Sequence, residues 1–528
     1  MSTQQAGPHA TTPSPEVAAA SQLQVRGTRA WTATLGARIR AQISPGALRE
    51  KHLVFTIAFV LSLIPRILEL FSFRPALLSA DSFVYMQQAL NHQLGTIRPS
   101  GYPFFLSILG VLPHPLTIVV VVQHLMGLAI AVLVYSLLRY WGLPGWGAAL
   151  ATLPTLFDTR EITLESYILP DTLFCLVIVV VVALLITKQT PRAWQCVTAA
   201  LLLAYVSVLR GNGILLAVVV AAFLLVRKVG WRALIASAAA FGIPLLGYAL
   251  VFHSEHGEFN LTSSDGIFLW SRMTTFANCK VIDPPADLRP LCPSSERPEN
   301  APPSSPAFSI SNELVQKTPS DYLWASDAWW RTDSQPGFNR HNNTLGLRFA
   351  VKAVESQPLS YLRAASRDVL LTFIATDRPQ DQADMYLTPN PRIAHLPSYY
   401  VRYERAYAGM SQNTHAVYPY ANLMFDYQQP LYFPGIVFLL VILTGIAGAV
   451  RNWRGWGGVL LLPVGLAVVS ILSPALLSQS LYRYAIAAIP LACIAAGLSL
   501  SRLCRPASPS VSRQPATVPG DTGPLILP

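Results

Sequence analysis

Runs of about 20 mostly apolar residues, long enough to cross the hydrocarbon core of a bilayer as a helix, recur along this chain. The first, "LVFTIAFVLSLIPRILELF" at 53–71, sets the pattern. By the same criterion we read about ten spans, at 53–71, 117–138, 145–158, 168–187, 194–209, 212–227, 231–252, 432–450, 456–473 and 484–501. An all-α polytopic membrane protein follows. Only 12% of the residues are charged, against about 25% in soluble proteins, so the soluble classes are excluded. The net charge of +11 does not point to nucleic acid. The basic residues are not gathered on a polar domain but sit in short segments between apolar runs, where they set topology.

With the N-terminus in the cytoplasm, the segments on that side carry 16 Lys and Arg, from Arg26 to Arg505. The opposite short connections keep five, Arg74, Arg98, Arg160, Arg210 and Arg483. This bias predicts both termini inside, in a cell membrane that the Ala- and Val-rich spans and basic, Pro-rich ends mark as bacterial. The predicted order is a disordered cytoplasmic tail (1–50), a transmembrane catalytic module (51–252) with its first extracytoplasmic loop at 72–116, and a large extracytoplasmic insert (253–431). C-terminal spans (432–504) and a disordered tail (505–528) follow. No cleavable signal-peptide pattern is read at the start.

The ionisable residues then divide by side. The inner ones are basic topology signals. The outer ones mix acids, arginines and tyrosines. "DSFVYMQQAL" after the first span places Asp81 and Tyr85 one turn apart on an amphipathic helix. Arg98 and "GYPFF", with Tyr102, follow. "FDTREITLESYILPDTLF" packs four carboxylates into fourteen residues. Glu161 and Glu165 share a helical face there, and Asp171 opens a helix, where the macrodipole favours a carboxylate. Such acids either hold a divalent cation through oxygen ligands or serve one as base and the rest as fixed charge. Arg210 in "VLRGNG" and Arg483, beside Tyr482 in "LYRYAIAAIP", bring positive charge suited to phosphate. Acids, arginines and an adjoining apolar surface together point to a lipid-phosphate substrate.

These residues resemble the GT-C class of polytopic glycosyltransferases, particularly glycosyltransferase family 39, which includes protein O-mannosyltransferases and the lipid A aminoarabinose transferase. The likeness rests on Asp81 and Tyr85 after the first span, "RPSGYPFFLSIL", "ITLESYILPDTLF", "VLRGNGILL" and "YRYAIAAIPL". The resemblance implies sugar transfer from a polyprenyl-phosphate donor to an extracytoplasmic glycan, lipid or protein, within a membrane-lipid setting. It implies Asp81 as general base and Glu165, with Asp171 or Glu161, as a second acidic site. Arg210 and Arg483 would hold the donor phosphate, and Tyr85 and Tyr102 would line the pocket. Asp81 is followed by Ser82 where many relatives carry an Asp-Glu pair, which leaves open whether Mg or Mn is bound by Asp81 and Glu165. "LRGNG" replaces an Arg-Pro common in that family.

The 253–431 insert is polar and rich in Pro, Trp and Tyr, and "PLSYLRAASRDVLLTFIATD" has helical periodicity, so a mixed, mainly helical domain is expected. In an oxidising compartment Cys279 and Cys292 can close a disulfide within it. Asp377, Asp381 and Asp384 read as solvated loop acids. A transporter or flippase of a lipid-linked or anionic substrate is the rival reading, and a membrane-anchored binding protein a third. Transport asks for polar or broken helices near mid-membrane, whereas these spans are nearly pure Ala, Val, Leu and Ile.

Overall fold

A computed structural model describes residues 52–188, 190–293, 319–325, 328–330, 337–374, 398–409, 415–451, 457–479 and 482–503. The two expected tails and Asp377, Asp381 and Asp384 lie outside the described residues. Among the described residues five helices are long and apolar enough to cross a membrane: Leu53–Ser72, Pro115–Tyr140, Trp231–His256, Gly458–Leu477 and Arg483–Ser501. Four shorter apolar helices accompany them, Asp171–Ile186, Ala193–Leu209, Gly213–Val226 and Gly435–Arg451. The expected span at 145–158 is instead two short helices, Gly145–Leu150 and Leu153–Phe157. The break falls where the Thr152 hydroxyl bonds the Ala149 carbonyl at 2.7 Å and Pro154, lacking an N–H, begins a new first turn.

How the helices treat their apolar surface identifies their solvent. Trp231–His256 buries only Ser237 and Phe252, and Ile235, Ile243, Leu246 and Leu250 point outward. In water each Å² of such surface costs about 25 cal/mol; in lipid it costs nothing. Arg483–Ser501 is the opposite case. Its Ile489, Leu491, Ala492 and Ile494 are fully enclosed, so this helix runs through the middle of the bundle. The protein is a helical membrane protein.

Between the spans, short elements tie the loops together. Phe73–Arg74 (β1) pairs antiparallel with His415–Ala416 (β2), joining the exit of the first span to the end of the insert. The Leu77 N–H donates to the Ser166 carbonyl at 3.0 Å and the Ile168 N–H to the Leu77 carbonyl at 3.1 Å. The insert includes the helices Asp265–Met273, Arg340–Ser356, Pro358–Ile374, Ser398–Ala408 and Tyr420–Gln428. It has an apolar core of its own around Ile267, Trp270, Leu291, Phe338 and Phe349. Cys279 and Cys292 are joined as a disulfide beside that core.

Candidate functional site

Asp81 is placed by the tethered loop that precedes it. Ser79 opens the helix Ala80–Asn91, its N–H donating to Ser82 Oγ at 2.9 Å, and Asp81 falls in the first turn, where the helix end favours a negative charge. Two guanidinium groups then enclose the carboxylate. Arg98 donates to Oδ1 through Nε (3.2 Å) and Nη2 (3.1 Å). Arg483, 402 positions along the chain, donates to Oδ2 through Nη2 at 3.0 Å. Burial works against the charge on Asp81, but the two arginines outweigh it and hold the carboxyl at about 2, below the usual range. That shift corresponds to roughly 2 kcal/mol in favour of the ionised form. Asp81 is therefore ionised at any physiological pH and committed to its partners.

A second arginine pair lies alongside. The helix Ala193–Leu209 ends as Arg210 turns to extended backbone. Its Nη2 bonds Asp171, the first residue of Asp171–Ile186. The other Asp171 oxygen, Oδ2, is buried without a hydrogen-bond partner. The Tyr484 ring joins the two pairs, with the Arg210 guanidinium 4.9 Å and the Arg483 guanidinium 5.0 Å from its centre. Contacts of this kind are worth about 0.5–2 kcal/mol each. Arg483 Nε is buried and unpartnered, so the cationic cluster has hydrogen-bonding capacity that its own carboxylates do not use.

These groups open onto a cavity of about 490 Å³. Asp81, Tyr85, Arg98, Arg210, Arg483 and Tyr484 line it, and Leu209, Leu215, Phe268, Leu347 and Leu477 supply apolar wall. Asn260, Thr262, Asp265 and Asn343 line it from the insert. Several of the polar contributors stand at helix ends. Asp81 begins one helix, Arg210 ends another, Asp265 begins a third, Ser478 follows Gly457–Leu477, and Arg483 lies in the first turn of Tyr482–Ile486. The cavity thus sits at one end of the bundle.

Four of the expected site residues do not line it. Asp171 lies one contact behind, through Arg210. Tyr102 is buried, donating to Gln123 Oε1 at 2.8 Å and meeting the Tyr85 ring edge-on at 5.3 Å, so it supports Tyr85 rather than facing the cavity. The Tyr482 side chain lies outside the described ones. Glu161 is buried with Oε1 unpartnered; burial first, then Asp158 and Glu165, push its carboxyl well above the usual range. Glu165 requires the largest correction. Its oxygens are taken by Arg66 (2.9 and 2.8 Å) and His124 Nδ1 (2.8 Å), and the side chain is 1% exposed. A divalent cation shared by Asp81 and Glu165 would meet one carboxylate held by two arginines and another sealed in a separate cluster. The residues do not fit that metal site.

Four participants escaped the sequence reading. Asp265 carried no local signal beyond standing in a polar segment. Tyr484 was passed over for Tyr482, two positions away. Arg66 and His124 were hidden inside apolar runs, where a lone ionisable residue gives no hint of its partner.

No protein-family model and no curated protein matches the sequence. Among solved structures, part of the fold is similar to the S. cerevisiae protein O-mannosyltransferase Pmt1–Pmt2 complex bound to the sugar donor. The likeness has 14% identity and a TM-score of 0.31, over 42% of this chain and 36% of that one. This chain therefore aligns with little more than a third of that protein's length.

Proposed function

We propose that the protein is an integral membrane glycosyltransferase that moves a sugar from a polyprenyl-phosphate donor to the hydroxyl of an extracytoplasmic acceptor. One observation carries this reading: a cavity at the end of an apolar helical bundle that is lined by three guanidinium groups, two of them on the Asp81 carboxylate, with apolar wall beside them. Guanidinium forks match phosphate oxygens with paired donors, and the apolar wall suits the first isoprene units of a lipid tail. Transport would ask for polar or broken helices near mid-membrane, whereas these groups gather at one end of the bundle.

In the proposed reaction the acceptor oxygen bonds to the anomeric carbon as the bond from that carbon to the phosphate oxygen breaks. The electron pair leaves with the lipid phosphate, where Arg210, Arg483 and Arg98 compensate the charge it gains. The acceptor's proton passes to Asp81. A carboxylate held at about 2 is a poor base, and the donor supplies the remedy. Its phosphate competes with Asp81 for Arg483 and Arg98. As those contacts move to phosphate, the stabilisation of the Asp81 anion is withdrawn and its basicity rises. The base is thus released where and when a donor is seated.

The test uses the full-length protein purified in detergent and a panel of polyprenyl-phosphate sugars, with release of free polyprenyl phosphate as the readout. Wild type is expected to release it. In Arg210→Ala, loss of a charge-assisted contact worth about 1.5–3 kcal/mol is expected to raise the donor KM roughly 10- to 100-fold, with the acceptor KM nearly unchanged. Equal losses for both substrates would reduce Arg210 to a helix-end charge. Binding without turnover across the panel would replace the enzyme with a receptor or carrier.

A further inference from the structure

The two walls of the cavity differ in chemistry. The bundle wall carries the arginines. The insert wall carries Asn260, Thr262, Asn343 and one carboxylate, Asp265. Asp265 begins the helix Asp265–Met273 and keeps exposed surface where it lines the cavity. Thr262 Oγ1 donates to its Oδ1 at 3.3 Å. Among the described residues no cation pairs with it. A carboxylate offers about four acceptor sites, so capacity remains open beyond the hydrogen bonds from Thr262 and Asn260. Its position is equally telling. Oδ1 lies 4.0 Å from where a Cβ on Gly211 would stand, and Gly211 directly follows Arg210. The absent side chain at Gly211 leaves space between this carboxylate and the turn that carries a phosphate-binding arginine.

We propose that Asp265 reads the sugar, accepting hydrogen bonds from hydroxyls of the ring whose anomeric carbon carries the phosphate that Arg210 holds. The inference rests on the functional reading above and adds a residue that decides which sugar is taken. Vicinal hydroxyls present paired donors, and a carboxylate accepts two of them while arginine, which has no acceptor, accepts none. Burial raises the Asp265 carboxyl above its ordinary range, with Glu258 adding to the effect and hydrogen bonds from Thr262 and Asn260 opposing it. Its free lone pairs are correspondingly better acceptors than those of Asp81. The hydroxyls belong either to the donor's sugar or to a sugar acceptor, and the two are separable.

The experiment compares Asp265→Asn and Asp265→Ala with wild type, as full-length protein in nanodiscs. Affinity is measured for bare polyprenyl phosphate, polyprenyl-phosphate mannose, polyprenyl-phosphate glucose and methyl mannoside. Bare polyprenyl phosphate is expected to bind within about twofold of wild type, and the glycosylated lipids about tenfold or more weakly, the effect of losing one charged hydrogen bond. The ratio between mannose and glucose lipids should change as well. Loss confined to methyl mannoside would assign the hydroxyls to the acceptor. Unchanged affinity for every sugar overturns the proposal. An equal fall for bare and glycosylated lipids also overturns it, because Asp265 would then only support the cavity wall. If wild type binds none of the lipids, the transferase reading fails, and this inference fails with it.

Discussion

Asp81→Asn is expected to lose transfer by about 10²- to 10⁴-fold, the usual contribution of a general base, while binding bare polyprenyl phosphate as tightly as wild type or more tightly. The two halves of that result come from one geometry. Asparagine keeps the size of aspartate and removes the charge. The carboxylate assigned to take the acceptor's proton is then gone, so turnover falls. Arg98 and Arg483, which in wild type are spent on Asp81 at 3.0–3.2 Å, face the cavity without a counter-charge, and a phosphate entering there no longer has to compete. Single-turnover rates and equilibrium binding on the same preparation separate the two effects. Normal turnover would sink the assignment of Asp81 as base. Loss of binding together with turnover would mean that the two-arginine clamp organises the cavity, with Asp81 as its structural centre. The expected opposition, weaker catalysis with undiminished binding, belongs only to a base held in check by the groups that recognise the leaving phosphate.

The same geometry explains what the sequence made legible. Alternating spans put Asp81, Tyr85, Arg98, Arg210 and Arg483 on one side, and they share one cavity: Asp81, Arg210 and Arg483 stand at helix ends, Tyr85 lies one turn beyond Asp81, and Arg98 lies in the loop that follows. Tyr484 shows where such reasoning runs out. Nothing local says that its ring meets the guanidinium groups of both Arg210 and Arg483. Asp265 was illegible for another reason. A single acid in a polar segment looks solvated until the fold brings a cavity to it. Glu161 and Glu165 were correctly read as sharing a helical face, yet whether that face meets a substrate or a buried arginine depends on a partner 99 positions away. The broken run at 145–158 is a simpler failure: apolar character was weighed above the Thr-Leu-Pro that starts a new helix.

Glu165→Gln is expected to damage the fold rather than the chemistry. Arg66 and Glu165 are 3% and 1% exposed and meet through two hydrogen bonds. The same guanidinium also donates to the Ser62, Thr155 and Leu156 carbonyls. Removing one member of such a pair leaves the other charged and enclosed, which costs about 3–5 kcal/mol. The carboxylate also packs where a side chain on Gly127 would be, with Oε1 1.7 Å from the position of its Cβ, so Gly127→Ala should destabilise through the same cluster. Lost activity in Glu165→Gln would not by itself distinguish structure from catalysis, because a partly unfolded transferase is inactive either way. The double variant Arg66→Met with Glu165→Leu makes the distinction. Replacing a buried ion pair by apolar groups of similar volume is often close to neutral, so the double variant should recover much of the thermal stability lost in the single one. If Glu165 is a structural counter-ion, turnover per folded molecule returns with the stability. If it acts on the substrate, the double variant unfolds at nearly the wild-type temperature and still does not turn over, and the carboxylate must then reach the cavity in a conformation that breaks its contacts with Arg66 and His124.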